Sequence, residues 1–323
     1  MKPATRTLIL VFSAVLSVAV LGYMFARLDW QQVRLLVMHL RWPWLLLSLL
    51  AYFISLLLRT ERFRDLLYSR FPRRLDLLAV TGLHNMFNYI LPARSGELSY
   101  LFLTKDRFKT PLSEGAASLF ASRVYDFLST ALILLIVLPF AWNKLPAWAL
   151  QISLLFSLAV IGVCALIFSL VKNSQVLRRF SPPYPWLGRL WLFFERTIAG
   201  LQEIQRGRKH MRVALLTIFI WVCLYANLFF ICQGVGYGVD FFQVILVSLL
   251  MIPLSLAPVQ GFANLGTHEL AWVTVLMIFG ASYESALYVA FGTHFLVMSI
   301  ILFYGLLSLI AIRFLPPFPS EWV

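Results

Sequence analysis

The stretch AWALQISLLFSLAVIGVCALIFSLV, residues 147–171, contains no charged side chain, and as a helix it is long enough to cross the roughly 30 Å of a bilayer's hydrocarbon core. Its apolar residues fall on every face instead of alternating, which excludes a strand of a membrane barrel. Comparable runs lie at Leu8 to Phe25, Trp44 to Leu58 and Val213 to Cys232. The first follows Lys2 and Arg6, as in a signal peptide, but it is long for such a segment and has no small-x-small cleavage site before Leu28, so it reads as an uncleaved span. The fold class is therefore an all-α polytopic membrane protein, a single membrane domain over 1–323. Composition agrees: 61% of the residues are hydrophobic and 13% charged, where soluble proteins carry about a quarter.

The formal net charge of +13 would suggest nucleic acid in a soluble protein; here its placement argues against that partner. Most of the 27 basic residues fall in three clusters between apolar runs. The first holds Arg59, Arg62, Arg64, Arg70, Arg73 and Arg74, and the second Lys105, Arg107 and Lys109. The third runs from Lys172 to Arg212. Cytoplasmic loops are enriched in Lys and Arg, so these clusters and both termini are assigned to the cytoplasm, as expected of a bacterial inner membrane protein. Six full spans follow, near 7–26, 43–60, 112–139, 147–171, 212–233 and 284–312.

Two apolar segments remain. Residues 77–104 begin and end beside cytoplasmic clusters, and residues 241–281 begin and end on the opposite side. Each is broken near its middle, the first at Leu91-Pro92-Ala93-Arg94-Ser95-Gly96, the second at Ala257-Pro258-Val259-Gln260-Gly261 and on to Gly266. Proline removes a backbone donor and glycine weakens a helix, so both breaks should be non-helical, which membrane depth tolerates only inside protein or against a watery cavity. Each break leads into Glu-Leu, at Glu97-Leu98 and Glu269-Leu270, and then a long span. The expectation is two opposed re-entrant hairpins in inverted repeats, near 43–140 and 212–312, an arrangement typical of transporters. The alternative is that each hairpin is a pair of ordinary short spans. Residues 186–206 place Trp186, Leu190, Phe194, Ile198 and Leu201 on one stripe and read as a cytoplasmic interfacial helix, or as a loop helix packed on the bundle.

Ionisable side chains inside apolar sequence are costly and mark candidate sites. They are Arg94 and Glu97 at the first break, Glu114, Arg123 and Asp126 in the next span, His268 and Glu269 at the second break, and His84 and His294 elsewhere. A helix starting at Gly96 beside Arg94 would favour an oxyanion through its free amides and the guanidinium, with Arg123 as a second positive group. Arg123 and Asp126, three apart on one helical face, can instead form an internal ion pair. Glu97 and Glu269 are candidates to carry a proton or to meet an ammonium group. His268-Glu269 lacks the second histidine of His-Glu-x-x-His, Trp272 lies in that region instead, and the three cysteines have no metal spacing, so no metal and no cofactor is expected. No Gly-x-x-x-x-Gly-Lys phosphate loop is present.

The run Asn88-Tyr-Ile-Leu-Pro92-Ala-Arg94-Ser-Gly96-Glu97-Leu98, followed by Ala121-Ser-Arg123-Val-Tyr-Asp126, resembles the lysylphosphatidylglycerol synthase transmembrane, or flippase-like, family. The later break with Gly266, Glu269 and Leu270, ending at Gly280, is similar to the same family's pattern. In larger members the membrane region moves an aminoacylated phospholipid and a soluble C-terminal domain attaches the amino acid. This sequence stops at Val323 after the last span, so the resemblance implies a stand-alone lipid translocator and not the synthase. It implies a site of Pro92, Arg94, Gly96, Glu97, Arg123, Asp126 and Glu269, and a membrane lipid as partner: an anionic or aminoacylated phospholipid or a polyprenyl-linked lipid. The alternatives are a membrane enzyme acting on a polyprenyl phosphate, with Glu97, Asp126 or Glu269 as acid or base, and a non-transporting subunit of a lipid-synthesis complex. Lipid-synthesis enzymes or a second copy of the chain are the candidate protein partners.

Overall fold

A computed structural model describes residues 38–69, 72–91, 95–141, 145–172, 188–206, 209–256 and 262–316. These residues form ten α-helices: α1 (Trp42–Leu66), α2 (Arg74–Ile90), α3 (Glu97–Phe108), α4 (Leu112–Ala141), α5 (Ala147–Lys172), α6 (Gly188–Arg206), α7 (His210–Gly234), α8 (Phe241–Leu256), α9 (Thr267–Ile278) and α10 (Tyr283–Phe314). A short 3-10 turn at Phe262–Asn264 precedes α9. No strand occurs among the described residues.

Five of these helices, α1, α4, α5, α7 and α10, are long and apolar enough to cross a membrane, and they coincide with five of the six expected spans. The sixth, near 7–26, lies outside the described residues. On α5 only 11% of the apolar window is buried within the protein, and Leu155, Leu158 and Leu166 are exposed, as expected of a helix whose solvent is lipid. The chain is a multi-pass membrane protein.

Helix lengths repeat. The series α1 to α4 has 25, 17, 12 and 30 residues, and α7 to α10 has 25, 16, 12 and 32. At 1.5 Å per residue the 12-residue helices α3 and α9 are about 18 Å long, well short of the hydrocarbon thickness.

The chain divides into two compact units. The first comprises 1–54, 82–97 and 222–307, and so holds α8, α9, most of α10 and parts of α1, α2 and α7. Within it, Asn227 on α7 donates to the Ser48 carbonyl and hydroxyl of α1 at 2.9 and 2.8 Å, and Tyr304 of α10 donates to the Leu49 carbonyl at 3.1 Å. These pairs satisfy polar groups that lipid would leave unsatisfied. A Cβ on Gly96 would collide with the backbone of Phe87 and Asn88, so Gly96, just before α3, packs directly on the end of α2.

The second unit comprises 55–81, 98–221 and 308–323. Its core joins Phe63, Leu67, Leu77, Val80, Tyr100, Phe108 and Leu119, with the Phe63 and Tyr100 rings stacked at 4.4 Å. Asp76 is fully buried at the start of α2 and accepts from Arg73 at 2.7 Å and Arg107 at 2.5 Å. Arg107 also donates to the carbonyls of Leu315 and Pro316, fastening the end of α3 to the chain after α10. The helix foreseen near 186–206 is α6, which packs against α4 and α5: Leu201 and Ile204 adjoin a core of Leu66, Ala121, Tyr125 and Val213.

One boundary needs correction. The span foreseen at 43–60 continues to Leu66, so Arg59, Arg62 and Arg64 belong to α1 and not to a loop. Arg62 is 2% exposed. A charge ends a span only when it has no internal partner, and Arg62 has one.

Candidate functional site

Each unit contains a buried polar cluster in an otherwise apolar helical setting. In the second unit the centre is Asp126 on α4. Arg62 of α1 donates to its Oδ1 at 2.6 Å and, through its other terminal nitrogen, to Oδ2 at 3.4 Å. Trp221 of α7 donates its indole N–H to Oδ1 at 3.2 Å, and Arg123 reaches Oδ2 at 3.3 Å. Arg62 also donates to the Thr217 hydroxyl at 3.3 Å. Three helices therefore meet at one carboxylate, and Arg59 lies within its electrostatic reach. Arg123, 26% exposed at its side chain, is the most accessible of the paired groups.

Of the candidates named from sequence, Asp126 and Arg123 are thus brought together here as the i, i+3 pair. Asp126 itself is occupied by protein donors and serves as their anchor. Arg62, Thr217 and Trp221 were not foreseen. Glu114 is also structural: its Oε1 accepts the backbone N–H of Tyr68 and Ser69, each at 2.9 Å, and its Oε2 accepts from the Ser69 hydroxyl. It caps the turn after α1. The Tyr68 hydroxyl, in that turn, titrates above the ordinary phenol value because it is partly buried and then because Glu114 and Glu203 are near.

In the first unit the centre is Glu269, fully buried in the opening turn of α9. Gly266, at φ 85°, permits the sharp entry into this helix and donates its N–H to Glu269 Oε2 at 2.7 Å. Glu269 Oε1 shares a hydrogen bond with His294 Nδ1 of α10. His294 Nε2 is 2.8 Å from the carbonyl of Ala263, in the turn before α9. His268 stacks on His294 with ring centres 4.4 Å apart, and its Nε2 lies 3.2 Å from the Thr293 hydroxyl. Thr293 spends its own proton on the Ala290 carbonyl, so His268 Nε2 is the donor in that contact.

Two further aromatic rings extend this stack. Trp272 lies beside His268 at 6.1 Å, and Tyr89, near the end of α2, meets His294 edge-on at 6.0 Å. The Tyr89 hydroxyl, the Asn88 side-chain carbonyl and the Trp272 indole N–H are buried and have no hydrogen-bond partner among the described residues. Such groups cost energy to bury, which makes this region receptive to a polar ligand or water.

His268, His294 and Glu269 are therefore one site. Gly96 and Glu97 open α3, Glu97 half-buried in its first turn, and His84 is buried on α2. Arg94, Pro92, Pro258 and Gly261 lie outside the described residues. Gly266 is at φ 85°, and Gly96 lies against the backbone of Phe87 and Asn88. The described residues contain no grouping of three or more His, Cys, Asp or Glu able to hold a metal.

Comparison with known proteins gives a consistent assignment. No curated protein sequence and no solved structure shows significant similarity to the chain. The sequence pattern of the lysylphosphatidylglycerol synthase TM region matches residues 10–305, nearly the whole chain and both buried clusters. That pattern describes a membrane region with a lipid-related role. The chain belongs to the lysylphosphatidylglycerol synthase TM region family.

Proposed function

We propose that the protein is a lipid translocator that moves an anionic or aminoacylated phospholipid, or a polyprenyl-linked lipid, across the bacterial inner membrane, with both termini in the cytoplasm. The carrying observation is the meeting of Tyr89, just before the break of the first segment, with His294 and hence with Glu269 and Ala263 of the second. Charge placement has the first segment enter from the cytoplasm and the second from the opposite side. Opposed broken helices that converge on buried polar groups are the arrangement of alternating-access carriers. The repeated helix lengths, and arms of about 18 Å at α3 and α9, support two inverted repeats with re-entrant hairpins.

In this reading the arginines named from sequence, Arg94 and Arg123, are the candidates to receive the phosphate of the head group, while the acyl or prenyl chains stay in hydrocarbon. The α3 start at Gly96 and Glu97 contributes the positive end of its helix dipole. Rocking of one repeat against the other would expose the head group to each side in turn. The sequence has no Gly-x-x-x-x-Gly-Lys phosphate loop to suggest ATP as the driver, and the reading takes a proton, the membrane potential or no coupled driver instead.

The test is reconstitution of the wild type and Arg94→Ala in liposomes, with exposure of head groups to an impermeant reagent followed over time. The proposal expects Arg94→Ala to lose most of the translocation. Undiminished translocation would remove Arg94 from the mechanism.

A further inference from the structure

We infer that the Glu269–His294 pair is a proton-binding site whose occupancy ties the turn at Ala263 to α10. The argument is a count of hydrogens. His294 faces a carboxylate through Nδ1 and a carbonyl through Nε2, and neither of those oxygens brings a hydrogen unless Glu269 is protonated. Both contacts together therefore need two hydrogens on the pair. An imidazolium with a carboxylate supplies them, and so does a neutral imidazole with a protonated Glu269.

Loss of one proton to water leaves a carboxylate and a neutral imidazole with a single N–H. That N–H serves Glu269 or Ala263, but not both. Either the Ala263 carbonyl then faces a nitrogen lone pair, or the carboxylate does. The pair also changes from net neutral to a buried net charge of minus one, which an apolar interior strongly disfavours. Proton release is consequently linked to detachment of the turn, which would admit water to Glu269. The turn is poised for it, because Ala263 and Asn264 are both held at positive φ, 52° and 58°, a conformation that side chains other than glycine rarely adopt.

The surroundings fit a site for one proton. His268 stacks on one face of His294, so a second imidazolium there would be repelled, whereas the Trp272 and Tyr89 rings can stabilise a single cation in the row. Among the described residues of the first unit, α1, α7 and α8 contribute no Asp, Glu, His, Lys or Arg, α2 contributes His84 and Tyr89, the start of α3 contributes Glu97, and α10 adds Glu284 in its first turn. Tyr52 and Tyr89 are the phenols in electrostatic reach of one another, Tyr89 also of Glu269.

This names a proton as the ion coupled to the movement of the second hairpin, and that coupling to lipid rests on the translocator reading. The site itself is tested without transport. Nitrogen-15 NMR of histidine-labelled wild-type protein in lipid nanodiscs, with His294→Gln assigning the signal, reports both ring nitrogens across pH. In parallel, Leu265→Cys is labelled with a small maleimide, alone and combined with His294→Gln, which cancels the intrinsic pH dependence of the thiol. The expected result is one titration at His294, and a labelling ratio between the two proteins that rises about tenfold through the same midpoint, the equivalent of one lost charge-assisted hydrogen bond. A His294 protonation state and a labelling ratio that both stay flat across pH would overturn the inference. Liposomes of the same protein under an imposed pH gradient separate the two readings. Titration with no lipid movement leaves the proton site standing and removes the translocator; lipid movement with a flat His294 does the reverse.

Discussion

Replacing Arg62 should damage the protein far more than replacing Arg123, although both touch the same carboxylate. Arg62 is 2% exposed and holds Asp126 through two nitrogens, at 2.6 and 3.4 Å. Removing one partner of a buried pair strands the other and costs about 3–5 kcal/mol. Arg62→Ala keeps Trp221 at 3.2 Å and Arg123 at 3.3 Å on Asp126, which places it at the lower end, about 3 kcal/mol. Arg123→Ala leaves the shorter contacts intact and removes a partly exposed partner, worth about 1 kcal/mol or less. Fluorescence-monitored thermal unfolding in detergent reads the difference, at roughly 2 °C for each kcal/mol in a chain of this size. Arg62→Met combined with Asp126→Leu should be milder than either single change, because the buried pair is removed whole and the charge that loses Asp126, Arg123, is partly exposed. The reasoning is refuted if Arg123→Ala lowers the melting temperature as much as Arg62→Ala, or if the double variant is the sum of the singles.

Glu114→Ala should cost about 2 kcal/mol by leaving the Tyr68 and Ser69 amides without their acceptor, while Glu114→Gln, which retains an oxygen, costs less; the same unfolding assay ranks them. The Glu114→Gln change should also move the Tyr68 titration down toward the ordinary phenol range, since one of the negative charges that raise it is gone, as read by carbon-13 NMR with Tyr68→Phe for assignment. Gly266→Ala should cost about 2 kcal/mol, because φ 85° is unfavourable for a residue with a Cβ, and it should loosen the Gly266–Glu269 bond; an unchanged melting temperature would contradict that reading of the turn.

The spans were legible because their signal is local: twenty or so apolar residues announce a crossing wherever they occur. The partner of Asp126 was not. Arg62 lies 64 residues away, next to residues that read as a cytoplasmic cluster, and only the fold reveals that α1 continues to carry it inward. A sequence signal did exist, since Arg59 and Arg62 sit three apart and share a helical face with the apolar run before them. The i, i+3 spacing of Arg123 and Asp126 gave their pairing directly. His268 and His294 were named separately, whereas their junction with Glu269 depends on α9 and α10 packing side by side across 25 residues. The Glu-Leu echo of the two breaks differs in register: Glu97 is the first residue of α3, and Glu269 the third of α9. Glu269 can therefore reach back to the Gly266 amide, a contact no composition pattern indicates.

The central claim is lipid translocation, and the most direct measurement starts from the lipids that co-purify with the wild-type protein, identified by mass spectrometry. Each is placed in liposomes with and without the protein, and arrival of its head group at the opposite leaflet is followed with an impermeant reagent. The account predicts that at least one co-purifying anionic or aminoacylated lipid crosses much faster with the protein than without it. Arrival at the protein-free rate for every co-purifying lipid would contradict it.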